Sequence, residues 1–422
     1  MSDHRLSLPI IIVAVVVFSV ATTAALHRWG RGRLALSGVE YLLVGAIAGP
    51  FVTGLLDDVV MSQLDAVVSV ILGLAGFSLG LHLRTHLRGF GALQVGVIVA
   101  VITAGLVGGS VYGLLSTVYA PDALYEHRLW IALALGAAAP AVSAMAIDLV
   151  VARTAAAGSV TEMVRGLAAS GNFVAVVIAG AAIATRRASL ESSRLGVTEP
   201  QWLAAILLLG IICGLLFRIF LGRSTADDDR TFLASCGVII LTSGLAAALG
   251  ISPLFTCAAA GATVSLTSRQ TGTLEQVMER LERPALAMLS IFAGAMWRPI
   301  DGLVWVLPLA YVVVRLVAVR IAARLGLMSR PSLAPVVSVG SALLAQGSVA
   351  AAIAINHAQI YPDEGPLVLA TILTPMVLID AIAPGRLRRF FSNAGESGRS
   401  RLRPAEGVAI AEAPAAAPEA TR

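Results

Sequence analysis

Residues 135–145 read LGAAAPAVSAM, and residues 338–351 read SVGSALLAQGSVAA. Each stretch lies midway along a run with the composition of a membrane-spanning helix, and each interrupts it. Pro140 removes a backbone donor and disfavours helix at Ala139, while Gly340, Gln346 and Gly347 punctuate the second run. Irregular backbone at bilayer depth survives only where protein or a water-filled cavity satisfies its freed N–H and C=O groups. Either break alone also reads as a proline kink or as glycine packing. Two at matching positions point to paired discontinuous helices lining a solute path.

The rest of the chain fits that setting. Of 422 residues, 57% are hydrophobic and 13% charged, against roughly 25% charged in ordinary soluble domains. A spanning helix needs about 20 apolar residues, and thirteen such segments are expected near 6–26, 34–56, 64–83, 90–118, 129–151, 160–184, 200–221, 231–249, 251–267, 284–300, 303–325, 333–356 and 366–384. The sequence thus predicts an all-α polytopic membrane protein whose transmembrane domain fills 1–385. Repeats at about 6–184 and 231–384, joined by a linker helix at 200–221, place the fifth segment opposite the twelfth. Their offset of seven is odd, so matched helices run in opposite directions.

Every basic residue among the thirty is arginine. Twenty-one lie in connections 27–33, 82–89, 152–159, 222–230, 268–283, 320–332 and the tail, against six in the amino terminus and the remaining connections. By the positive-inside rule the first set is cytoplasmic, which puts the amino terminus outside and the carboxyl terminus inside; the membrane expected is the plasma membrane. One connection, 185–199, disagrees, because it carries Arg186, Arg187 and Arg194. The first segment has its charges after the apolar run (His27, Arg28, Arg31, Arg33), the reverse of a signal peptide. Residues 386–422 turn basic, then Ala-, Pro- and Glu-rich, a composition expected to be disordered, with its arginines against anionic lipid rather than nucleic acid.

Nothing indicates an enzyme, a cofactor or a metal centre. Cys213, Cys236 and Cys257 have no paired spacing, and His82 and His86, four apart, sit at a basic helix end that solvent explains better than a metal.

Four further stretches carry a family resemblance: LLVGAIAGPFVTGLL at 42–56, VILGLAGFSLGLHLRTHLR at 70–88, ISPLFTCAAAGATVS at 251–265 and LERPALAMLSIFAGAMW at 281–297. In this order they resemble helices of the monovalent cation:proton antiporter superfamily, the sodium/hydrogen exchanger fold, over roughly 6–385. The resemblance implies crossed discontinuous helices, a homodimer, and exchange of a monovalent cation, Na+ or K+, or a related solute, against protons. The family carries Asn-Asp or Asp-Asp at the midplane of the sixth segment, where this chain has Asn172 and Phe173. Ala138, Ala139 and Pro140 stand where the family's first crossing has a polar group, and Gln346 beside Gly347 stands in the second. Arg315 matches a basic residue of the helix before it. The alternative is a non-transporting relative serving as a membrane sensor or partner subunit.

An ionisable group inside the membrane costs about 2.5–3.5 kcal/mol and is functional by default. Arg315 reads either as part of the ion site, hydrogen-bonded toward Asn172, or as a structural tie to freed carbonyls. With the exchanging aspartate replaced by Phe173, the remaining proton carriers are Asp148, Glu162 and Asp380. Glu162 and Arg165, three apart, are expected to pair on one helix face.

Overall fold

A computed structural model describes residues 39–83, 90–117, 126–195, 199–221, 228–267, 272–298, 305–329, 339–380 and 382–398. The expected first span, 6–26, lies outside them. The described residues form fifteen helices. They are α1 (Val39–Ala48), α2 (Asp58–Leu81), α3 (Phe90–Thr117), α4 (Arg128–Ala138), α5 (Ala144–Thr154), α6 (Ser159–Leu195), α7 (Glu199–Leu221) and α8 (Asp228–Ala248). There follow α9 (Pro253–Thr267), α10 (Gly272–Ala295), α11 (Val306–Met328), α12 (Val339–Ala342), α13 (Ser348–Ile360), α14 (Gly365–Asp380) and α15 (Ala383–Asn393). Six are each long and apolar enough to cross a bilayer.

Both predicted interruptions are real. α4 stops at Ala138 and the chain resumes helix at Ala144, where the Ser143 hydroxyl caps α5 by accepting the Ala146 N–H at 3.2 Å. α12 stops at Ala342, and α13 starts after Gly347. The two breaks cross: Ser143 N–H donates to the Ala345 carbonyl at 2.9 Å. A Cβ on Gly347 would lie 2.6 Å from Ser143 Cα, so only glycine permits this approach.

Small residues draw other helices together. A methyl at Gly76 or Gly80 of α2 would strike the carbonyls of Leu254 and Ala258 on α9, and one at Gly45 of α1 would strike Ile291 of α10. With no room for side chains between them, the backbones pack directly.

Three expected boundaries shift. α6 has 37 residues, about 55 Å at 1.5 Å per residue, so the predicted loop 185–199 is helical through Leu195. α10 begins at Gly272, because 272–283 holds Glu/Arg pairs that continue the helix beyond its apolar part. Nor is the tail disordered from 386: α15 is amphipathic, burying Leu387, Phe390 and Phe391 while exposing Arg386, Arg388 and Arg389. Beyond it Glu396 is 2% exposed and accepts from the N–H groups of Val160 and Thr161 at 2.9 and 2.8 Å, capping α6. Residues 399–422 lie outside the described chain.

Candidate functional site

Breaking two helices at the same depth frees carbonyls at the ends of α4 and α12, where both helix dipoles present negative charge. Arg315, 0% exposed in mid-α11, meets both ends. Its Nε donates to the Ala139 carbonyl at 2.9 Å, Nη2 to Ala141 at 3.1 Å and Nη1 to Leu344 at 2.7 Å. Gln346 Nε2 donates to Ala138 at 3.0 Å and lies 3.4 Å from the Tyr311 hydroxyl, which in turn donates to Leu135 at 3.3 Å. Among the described residues Gln346 Oε1 is buried without a hydrogen-bond partner.

Asn172 does not bond to Arg315. Its Oδ1 accepts the Val142 N–H at 2.8 Å and its Nδ2 donates to the Val142 carbonyl at 3.0 Å. A carboxamide holds both donor and acceptor and so satisfies both groups of one freed residue. A guanidinium carries donors only and goes to carbonyls. The two side chains divide the broken backbone between them.

From the end of the molecule bearing the arginine-rich connections, a cavity of about 890 Å³ reaches this crossing. Val142, Asn172, Ser348 and Val349 form its deep wall; Asp148, Arg165, Glu279, Glu282 and Arg283 line its approaches. Arg165 donates from Nε to Asp148 and from Nη1 to Glu162, both at 3.0 Å. The side chains of Asp148 and Glu162 are 57% and 72% exposed, so these pairs contribute little to stability and keep their carboxylates in contact with water. Arg165 precedes Asn172 by two helical turns, about 10 Å. Beyond the crossing the space shrinks to a narrow void of about 10 Å³ between Ala134, Ala179 and Ile353, the threshold for one water.

A family model described as sodium/hydrogen exchanger, transmembrane, matches residues 15–384. The chain belongs to the sodium/hydrogen exchanger family. Among solved structures it is similar to the sodium proton antiporter MjNhaP1 from Methanocaldococcus jannaschii at pH 8. The identity is 14% and the TM-score 0.63, over 92% of this chain and 100% of that one. At such identity the likeness is one of fold. No curated protein matches significantly. Family and fold are those of transporters rather than enzymes.

Within this exchanger fold, Ala139, Pro140, Asn172, Arg315, Gln346 and Gly347 meet at the crossing. Phe173 is half-buried and is not among the cavity-lining residues; it follows Ala169, which does line it, by about 40° around the helix, at the edge of that face. Asp148 lies on the cavity wall, and Glu162 reaches it through Arg165. Asp380 ends α14, and its side chain lies outside the described residues. Sequence reasoning missed Tyr311, whose hydroxyl completes the clamp on α4; nothing in YVVVRLVAV distinguishes a buried tyrosine from an interfacial one.

Proposed function

We propose that this exchanger-family protein is a secondary transporter moving a monovalent cation, Na+ or K+, or a related small solute against protons, with its amino terminus outside and its arginine-rich end in the cytoplasm. The observation that carries the reading is the cavity of about 890 Å³ that runs from the arginine-rich end to the crossing, with Asp148 on its wall. A hydrated cation entering there meets carboxylates first. At its end it meets the partial positive charge of the α13 N-terminus, whose N-cap Gly347 offers no side-chain acceptor.

The family's one-site coupling needs a carboxylate that binds either a dehydrated cation or a proton. Phe173 does neither. A ring face attracts a cation but has no titratable proton, so proton coupling runs through Asp148, Glu162 or Asp380. Proteoliposomes or everted vesicles should show collapse of a pH gradient on addition of sodium, potassium or lithium between pH 6 and pH 9.

One observation favours a second reading, a non-transporting membrane sensor or partner subunit. Arg315, Asn172 and Gln346 donate to the carbonyls of Ala138, Ala139, Ala141, Val142 and Leu344, so these oxygens are engaged by side chains rather than open to a cation. Absence of any cation-dependent response in the same vesicles would select it.

A further inference from the structure

We propose that His127, Arg186, His357 and Glu364 form a proton-binding latch at the end of the crossing helices opposite the cavity, and that protons entering there loosen it. This rests on the transport reading only for its consequence, not for its chemistry.

Glu364 lies in the connection between α13 and α14 and is 1% exposed. Its Oε1 accepts from Arg186 Nη2 at 2.5 Å and its Oε2 from Nη1 at 2.8 Å, a bidentate pair. His127 Nδ1 lies 3.2 Å from both Glu364 Oε1 and Arg186 Nη2, and His357 Nε2 lies 3.4 Å from Glu364 Oε2. The guanidinium of Arg186 also stacks over the Tyr361 ring, 3.7 Å from its centroid. Four segments are thereby tied at one point: the start of α4, the far part of α6, the end of α13 and the loop before α14. Two of them, α4 and α13, are halves of the broken helices. The narrow void of about 10 Å³ lies directly beneath, walled by Arg186, His357 and Tyr361.

The position of His127 Nδ1 makes the cluster two-state. With that nitrogen unprotonated, its lone pair accepts from Arg186 and the cluster carries one cation and one anion. Once protonated, Nδ1–H donates to Glu364 Oε1, the atom Arg186 already holds, and two cations compete for one carboxylate. The surplus positive charge must then be hydrated, which favours separation of the four segments. A second proton on His357, whose side chain is 6% exposed, adds to it.

Other charges do not cancel this surplus. Arg187 adds positive potential beside Tyr361, Asp363 and Glu126 are solvent-exposed, and Arg128 stacks over Tyr112. Burial opposes ionisation of Glu364, but His357 and Arg186 outweigh it and hold the carboxyl below the usual carboxylate range. The group therefore stays ionised between pH 5 and 8, the window in which imidazoles change charge. The side chain of His127 is 39% exposed, which gives protons access from solvent.

The test is hydrogen exchange of the protein in liposomes, read as protection factors for segments 126–132 and 361–368 after correction for the intrinsic rate. Between pH 8 and pH 5 protection should fall about tenfold, the effect of one proton bound tenfold more tightly by the open form. In His127→Gln/His357→Gln the fall should vanish. A fall that persists in the double variant, no fall in the native protein, or a rise overturns the latch. Cation-dependent proton movement, measured in parallel, separates the two claims. Loss of protection without transport sinks the transport reading and leaves the latch standing; transport with pH-independent protection sinks the latch alone.

Discussion

Replacing Arg315 by methionine tests whether the guanidinium is a structural tie. Three hydrogen bonds from a charged donor reach carbonyls for which no backbone donor is found among the described loop and cap residues, and at about 1.5–3 kcal/mol each they amount to about 4.5–9 kcal/mol. Against this stands the cost of holding an arginine at the bilayer centre, about 3 kcal/mol. The difference, about 1.5–6 kcal/mol, should appear as a loss of stability in Arg315→Met. At about 2 °C per kcal/mol for a chain of more than 200 residues, the melting temperature falls by roughly 3–12 °C. The assay is built into the protein, since Cys213 and Cys257 are buried and a fluorogenic thiol dye reports their exposure on heating. Lysine decides between charge and geometry. One ammonium on a flexible stem cannot span Ala139, Ala141 and Leu344 together, so Arg315→Lys should melt no higher than Arg315→Met. If the bonds here had only the average strength measured between membrane helices, about 0.6 kcal/mol, three would not offset the insertion cost. Methionine would then stabilise the protein, and a melting temperature at or above that of the native chain would refute the reasoning.

Phe173→Asp should create or strengthen cation-dependent proton movement in vesicles, because residue 173 borders the cavity-lining face of α6; no gain would show that water and ions do not reach that edge. In the native protein, Asp148→Asn with Glu162→Gln and Asp380→Asn should abolish proton coupling, and robust exchange by the triple variant would displace the proposed carriers. Gly347→Ala should prevent the crossing, with the added methyl 2.6 Å from Ser143 Cα; its yield of folded protein by size-exclusion chromatography should drop severely, and a native elution profile would contradict the described approach.

The fold was legible because its two defects are written in backbone chemistry. Pro140 in the first run and the Gln346–Gly347 pair in the second announce breaks whatever the surroundings, and the apolar runs on either side announce the medium in which those breaks must be satisfied. Arg315 as a tie to freed carbonyls was one of its two readings and is what the structure shows; the share that Asn172 takes of the broken backbone was not legible. Asn172 and Arg315 were expected to bond because both are polar at one depth, yet donor and acceptor inventories divide them: Arg315 can address carbonyls only, while Asn172 closes on both groups of Val142. Only the start of the tail, 386–398, was misjudged: its arginines dominate the composition, whereas the alternation of Leu387, Phe390 and Phe391 with them is the pattern of an amphipathic helix.

The disagreement of 185–199 with the arginine bias has the same kind of origin. Charge counting treats each arginine as free in a loop, but Arg186 is buried on Glu364, so one of the three discordant charges is neutralised within the protein. The partner comes from 178 residues away, in a YPDEG stretch whose composition signals a turn and nothing more. A buried ion pair of this kind adds little to net stability once desolvation is counted, yet removing one partner leaves an uncompensated charge. It therefore fixes which elements meet rather than how tightly the chain folds, and it does so where α4 and α13, halves of the two broken helices, come within reach of solvent protons.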